Sequence, residues 1–178
     1  MRGLAILIGG LLLSTGRAAA QERADIPEYE VKSAYLFNFL QYTSWPPDAL
    51  DAAGDLTLCI LGDDPMGDLL PRAIGRRRID GHTIRIVSVS RPVEAGRCHA
   101  AFIAGRNATS SATWLGSLRG KPVLTVGEGP EFAAEGGMIA LVLETGTVRF
   151  EVNARALRQA NLQLSSRVMR LARAVRDE

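Results

Sequence analysis

A chain of 178 residues that is 47% hydrophobic and 22% charged suffices for one globular domain with a sizeable core, which excludes a disordered or fibrous protein. The formal net charge is +2, and it falls to zero once residues 1–20 are removed, because Arg2 and Arg17 leave with no acid and nineteen basic residues then face nineteen acidic ones. A surface balanced in this way argues against nucleic acid and against electrostatic docking on anionic lipid.

Residues 1–20 read as a secretory signal, with Arg2 at the start, an apolar stretch from Gly3 to Leu13, and small residues Ala18-Ala19-Ala20 at the cleavage positions. The stretch is shorter than the roughly 18 to 20 apolar residues that span a bilayer, and Arg17 closes it. Export with cleavage after Ala20 is the expectation, and no direct membrane insertion afterwards. Gln21 to Pro27 is polar and reads as a loose leader, so the folded domain is expected over residues 28–178.

Glu28 to Ser44 predicts a helix, with acids in its first turn and Trp45-Pro46-Pro47 as its stop. Apolar residues occupy almost its whole circumference, interrupted by Lys32, Ser33, Asn38 and Gln41. A surface helix needs only one apolar stripe, so the second apolar face has to be covered, either by the rest of the domain or by another protein. Tyr35, Phe37, Phe39, Tyr42 and Trp45 are therefore the candidate partner-binding residues.

Leu56 to Gly62 is a short β-rich run, followed by Asp64 as a helix cap, Pro65 as first helical residue, and Met66, Leu69, Leu70 and Ile74 as the apolar side. The Arg76-Arg77-Arg78 run reads as a solvated loop or as a grip on an acidic partner. Strands are expected at Thr83 to Val89, Ala100 to Ala104 and Pro122 to Val126, with a helix from Ala108 to Leu118 closed by Gly120.

The unbroken apolar run Met138 to Leu143 predicts a strand covered on both faces. After a Thr145-Gly146 turn, Val148 to Val152 predicts a strand with Val148, Phe150 and Val152 inward and Arg149 and Glu151 outward. Asn153 can cap a helix to Ala160, and Ser165 or Ser166 can cap a last helix whose Val168, Leu171 and Val175 share a face. The fold class that results is α/β: a single domain with a mixed, mostly parallel sheet, helices on both faces, and an antiparallel hairpin near the C-terminal end.

Residues suited to catalysis are few. His82 and His99 have no third ligand at metal spacing, and no nucleophile elbow, phosphate loop or dinucleotide fingerprint occurs. Asp63-Asp64 is accounted for as a turn residue and a cap, and no cofactor is implied. Cys59 and Cys98 are expected to form a bridge between neighbouring strands, since cysteines of exported chains usually pair. His99 points to the face opposite Cys98, and the absence of Cys-x-x-Cys disfavours a thiol oxidoreductase.

The chain resembles the YfiR family of exported regulators along nearly all of residues 28–178. The matching pieces are Val31 to Phe39 with Trp45-Pro46, Leu58 to Pro65, Cys98 to Ile103, Pro122 to Val126, Gly136 to Ile139, Phe150 to Asn153 and Leu162 to Ser166. The resemblance implies a periplasmic, non-enzymatic inhibitor that holds a membrane-bound diguanylate cyclase in check through that enzyme's periplasmic sensor region, lowering cyclic di-GMP and biofilm growth. Such relatives often carry a second cysteine pair near the hairpin, and Glu128 to Leu143 has none. A homodimer is compatible with this reading. The alternative is a small-ligand-binding module using the crevice near Gly62 to Met66 and Gly105 to Asn107.

Overall fold

The computed structural model describes residues 15–50, 54–105 and 110–177, with side chains from Glu28 onward. In chain order the helices are α1 (Thr15–Gln41), α2 (Leu69–Ile74), α3 (Ser111–Leu118), α4 (Glu131–Ala134), α5 (Ala154–Gln159) and α6 (Ser166–Met169). The strands are β1 (Thr43–Ser44), β2 (Leu56–Leu61), β3 (Arg78–Ile79), β4 (His82–Val89), β5 (Ala100–Ile103), β6 (Leu124–Glu128), β7 (Ile139–Glu144), β8 (Thr147–Asn153), β9 (Gln163–Leu164) and β10 (Ala174–Arg176), and a 3-10 helix covers Pro92–Arg97.

Eight strands form one sheet in the order β10-β8-β7-β6-β5-β2-β4-β3. Its centre, β4-β2-β5-β6-β7, is parallel throughout, and the strand order reverses between β2 and β5. This is the doubly wound arrangement that the alternation of apolar runs and helices calls for. Period-two alternation then sorts side chains onto two faces. Leu58, Ile60, Ala100, Phe102, Leu124 and Val126 meet α1, α2, α5 and α6 on one side. Cys59, Leu61, Ala101 and Ile103 meet Trp114, Leu115, Leu118 and Phe132 on the other.

The β7–β8 hairpin turns as expected at Thr145 and Gly146, which take φ of 45° and 78°, the double positive φ of a type I′ turn. Phe132 lies between two glycines, and a Cβ at either Gly127 or Gly137 would overlap its ring. Those two positions need glycine because an aromatic ring occupies the space a side chain would take.

Helical backbone begins at Thr15, residues 1–14 lie outside the described residues, and neither fact bears on the expected cleavage after Ala20. Several other expectations are corrected. Asp64 accepts from the backbone N–H groups of Met66 (2.9 Å) and Gly67 (3.1 Å), but this is an isolated turn, and α2 starts only at Leu69. Arg78 belongs to a strand, and Arg77 lies over the Phe37 ring at 4.0 Å, so the Arg run is not a free loop.

The last expected helix stops at Met169, and Ala174–Arg176 instead pairs in parallel with β8. That strand covers what was expected to be a sheet edge. Glu151 points away from Phe150 and Val152 as expected, but it is only 1% exposed instead of facing solvent. Arg173 Nε lies 3.1 Å from one Glu151 oxygen and Arg176 Nη2 3.1 Å from the other, so a buried carboxylate is fully neutralised. Leu143, expected to be covered, is exposed where β7 approaches the turn.

Candidate functional site

Helix α1 packs its aromatic residues inward. Tyr35 stacks on Phe39 with centroids 5.6 Å apart, and both rings meet Phe150 of β8 edge-on at 5.5 and 5.0 Å. These offset and edge geometries are the favourable ones for aromatic pairs. Phe37 is buried against α2 and Arg77, and Phe39 is essentially inaccessible. The second apolar face of this helix is thus covered by the chain itself.

Of the five candidate partner-binding residues, Phe37 and Phe39 therefore have almost no surface, and Tyr35 is half-buried. Trp45 is half-buried too, and its Nε1 donates to the His99 carbonyl at 3.0 Å. Only Tyr42, 37% exposed, offers a large aromatic surface to a partner, with Val31 exposed earlier on the same helix.

One polar cluster fixes the helix to the sheet. Lys32 is 4% exposed, and its Nζ binds the carboxylates of both Glu28 and Glu128 while lying 4.5 Å from the centroid of Tyr29. Glu128, at the carboxyl end of β6, also accepts from the Gly105 backbone N–H at 2.7 Å. An ammonium on an otherwise apolar helix is tolerable here because two carboxylates and an aromatic face replace its water. Sequence reasoning passed over Lys32 as a polar interruption. A lone lysine within an apolar circumference was the available sign that a buried acid had to face it.

The cysteines pair as expected, Cys59 with Cys98, with Cα atoms 5.8 Å apart and a sequence separation of 39. Both lie on the face away from α1. His99 lies on the other side of the backbone, where its Nδ1 accepts from the Thr57 N–H at 2.8 Å and its Nε2 meets the Ala49 carbonyl at 3.0 Å. That is the bonding pattern of a neutral ring holding a loop in place, so His99 does not act on the cysteine sulfur.

Two larger cavities occur among the described residues. One of about 360 Å³ lies at the carboxyl ends of β5 and β6, lined by Gly105, Ser110, Ser111, Glu128, Phe132 and two further glutamates. Gly105 was expected to border a ligand crevice; Gly62 and Met66 do not line this one, which sits one strand away from the reversal point. Residues 106–109, including the Asn107 sequon, lie outside the described residues. The second, of about 350 Å³, is walled mainly by Leu115, Leu118, Met138, Ala156 and Ala160. Both fall within the volume range of small-molecule sites. No group of three or more His, Cys, Asp or Glu able to hold a metal occurs among the described residues, and no described helix is long and apolar enough to cross a membrane.

The fold and its contents define a disulfide-bridged, doubly wound α/β domain in which the buried ion pairs of Lys32 with Glu128 and of Glu151 with Arg173 and Arg176 hold elements together. A family model described as YfiR/HmsC-like matches residues 29–173, almost the whole of the described fold, and the chain belongs to that family. Among solved structures it is similar to a conserved domain protein from Vibrio cholerae, at 8% identity and a TM-score of 0.56 over 83% of this chain. It is also similar to an ABC domain in complex with L-Trp from Streptococcus pneumoniae, at 10% identity and a TM-score of 0.55 over 82% of this chain. This chain spans 60% of the length of each, and at such identities the likeness is one of fold.

Proposed function

We propose that this protein is a non-enzymatic periplasmic regulator that inhibits a membrane-bound diguanylate cyclase by contact with the cyclase's periplasmic sensor region, lowering cyclic di-GMP. The observation that carries this reading is the family match over residues 29–173, which takes in both faces of the sheet and the helix that packs across it. The bridge between Cys59 and Cys98 suits an oxidising compartment. Burial of Phe37 and Phe39 narrows the partner surface on α1 to Tyr42 and its exposed neighbours.

The test is to remove the protein from its host, measure cyclic di-GMP, and use the tagged protein as bait on detergent-solubilised membranes. A rise in cyclic di-GMP that the returned gene reverses, with a cyclase captured by the bait, supports the proposal. Unchanged cyclic di-GMP together with no captured cyclase sinks it.

A second reading, a small-ligand-binding module, is favoured by the cavity of about 360 Å³ at the carboxyl ends of β5 and β6, where open α/β sheets bind ligands. A metabolite library that raises the thermal transition of the wild-type protein, but not of a variant carrying Ser111→Trp in that cavity, would support it.

A further inference from the structure

The cavity of about 350 Å³ enters neither reading above. It lies at the amino ends of β6 and β7, between the end of α3 and the helix α5. Five apolar side chains wall it: Leu115 and Leu118 from α3, Met138 just ahead of β7, and Ala156 and Ala160, which stand one turn apart on and just after α5. All five are buried, so the cavity is recessed between elements and is not a patch on the outside of the domain. Apolar walls in contact with water are unfavourable, and an apolar occupant removes that cost.

The polar groups in the same lining give the occupant its sign. Arg119, directly after α3, and Gln159, in the last turn of α5, are exposed lining residues, and neither side chain makes an ion pair or hydrogen bond among the described residues. Thr125 is only 2% exposed; its hydroxyl oxygen accepts from the Met138 N–H at 3.0 Å, and its own O–H has no acceptor among the described residues. A buried donor without an acceptor is costly, and a ligand oxygen in the cavity would satisfy it. A guanidinium, a carboxamide and a hydroxyl therefore line one apolar space, and a carboxylate can accept from all three. The acid in the lining, Glu135, is engaged by the Ser111 hydroxyl at the start of α3.

We propose that this cavity binds a small aliphatic carboxylate, its hydrocarbon body between α3 and α5 and its carboxylate accepting from the Thr125 hydroxyl and from the long, free side chain of Arg119. No aromatic ring lines the cavity, which favours an aliphatic body over an aromatic one that would gain from stacking. The volume lies at the lower end of the about 300 to 1,000 Å³ of small-molecule sites, whereas a protein partner needs roughly 800 Å² of surface per side. The inference stands on this cavity alone and depends neither on the cyclase reading nor on the cavity at the carboxyl ends of β5 and β6.

Isothermal titration of the protein as it accumulates in the cell tests the proposal, with sodium octanoate as the probe and octanol and octylammonium as its neutral and cationic counterparts. Octanoate should bind, and the other two should bind at least about tenfold more weakly, as the loss of a hydrogen bond to a charged group predicts. Arg119→Gln should weaken octanoate about tenfold to a hundredfold and leave octanol unchanged. Thr125→Val should weaken octanoate about tenfold, and Thr125→Ser, which keeps the hydroxyl, should not. Ala160→Leu, which extends a wall into the cavity, should abolish octanoate and octanol binding alike, and Glu131→Gln, in the other cavity, should change neither.

Absence of octanoate binding, or octanoate binding no tighter than octanol, overturns the proposal. So does octanoate binding that Arg119→Gln leaves intact, since the ligand would then lie elsewhere. Arg119 is exposed, and an unchanged thermal transition verifies that its variant folds, so that variant decides the outcome even where the buried Thr125 and Ala160 changes unfold the chain.

Discussion

The two faces of the sheet reach the same burial by different means. On one, α1 supplies continuous helix from Glu28 to Gln41 and an aromatic cluster of Tyr35, Phe39 and Phe150. On the other, the cover consists of a six-residue 3-10 helix, the eight-residue α3 and the four-residue α4. Helices that short are marginal alone in water. That face therefore relies on large side chains, Trp114 and Phe132, and on the bridge that fastens Cys98, directly after the 3-10 helix, to the central strand β2. The comparison teaches that a covalent link sits where local helical order is least able to hold the layer together.

The sharpest way to break this comparison is to truncate the aromatic cluster. Phe39→Ala should destabilise the protein by about 3 to 5 kcal/mol, as large-to-small core changes do, and by the same amount with or without reductant. Denaturant unfolding in both conditions measures it. Replacing Cys59 and Cys98 by Ser should cost about 2 to 4 kcal/mol. Because the two sites lie on opposite faces without shared partners, combining them should give an additive loss within about 0.5 kcal/mol. A coupling energy above 1 kcal/mol would show that the faces do not act as separate layers.

Smaller changes sharpen the picture. The Asn153 side chain accepts from the Ala156 N–H at 2.9 Å at the start of α5, so Asn153→Ala should cost about 1 kcal/mol in the same assay. Tyr42→Ser should leave stability within about 0.5 kcal/mol, because the side chain is exposed. If Tyr42 belongs to a partner surface, cyclic di-GMP in the cell should nevertheless rise. A Tyr42→Ser variant that unfolds would return the last aromatic of α1 to the core.

What was readable in the sequence is what short-range chemistry fixes. The hairpin at Thr145-Gly146, the Asn153 cap and the central strands follow from neighbours in the chain, and the pairing of Cys59 with Cys98 from their being the only two cysteines of the sequence. What escaped depended on residues far away. Val168, Leu171 and Val175 have helical spacing, yet the segment ends as β10 because Arg173 and Arg176 are drawn to Glu151, more than twenty positions earlier. Glu151 looked outward because alternation assigns charges to water, and alternation carries no information about a strand that later covers the edge. Likewise the apolar circumference of α1 correctly implied two covered faces, but only the position of α2 and Arg77 decides that the chain supplies both covers.

The ring of Phe132 held between Gly127 and Gly137 makes three positions depend on one another in evolutionary terms. As long as the aromatic ring is present, neither glycine can accept a methyl group without displacing it. Once the ring is lost, both glycines lose the steric reason for their identity. Substitutions at the three sites should accordingly arise together across relatives, with the phenylalanine changing first and the glycines drifting after it. A lineage with alanine at either glycine position and phenylalanine retained would require a rebuilt α4.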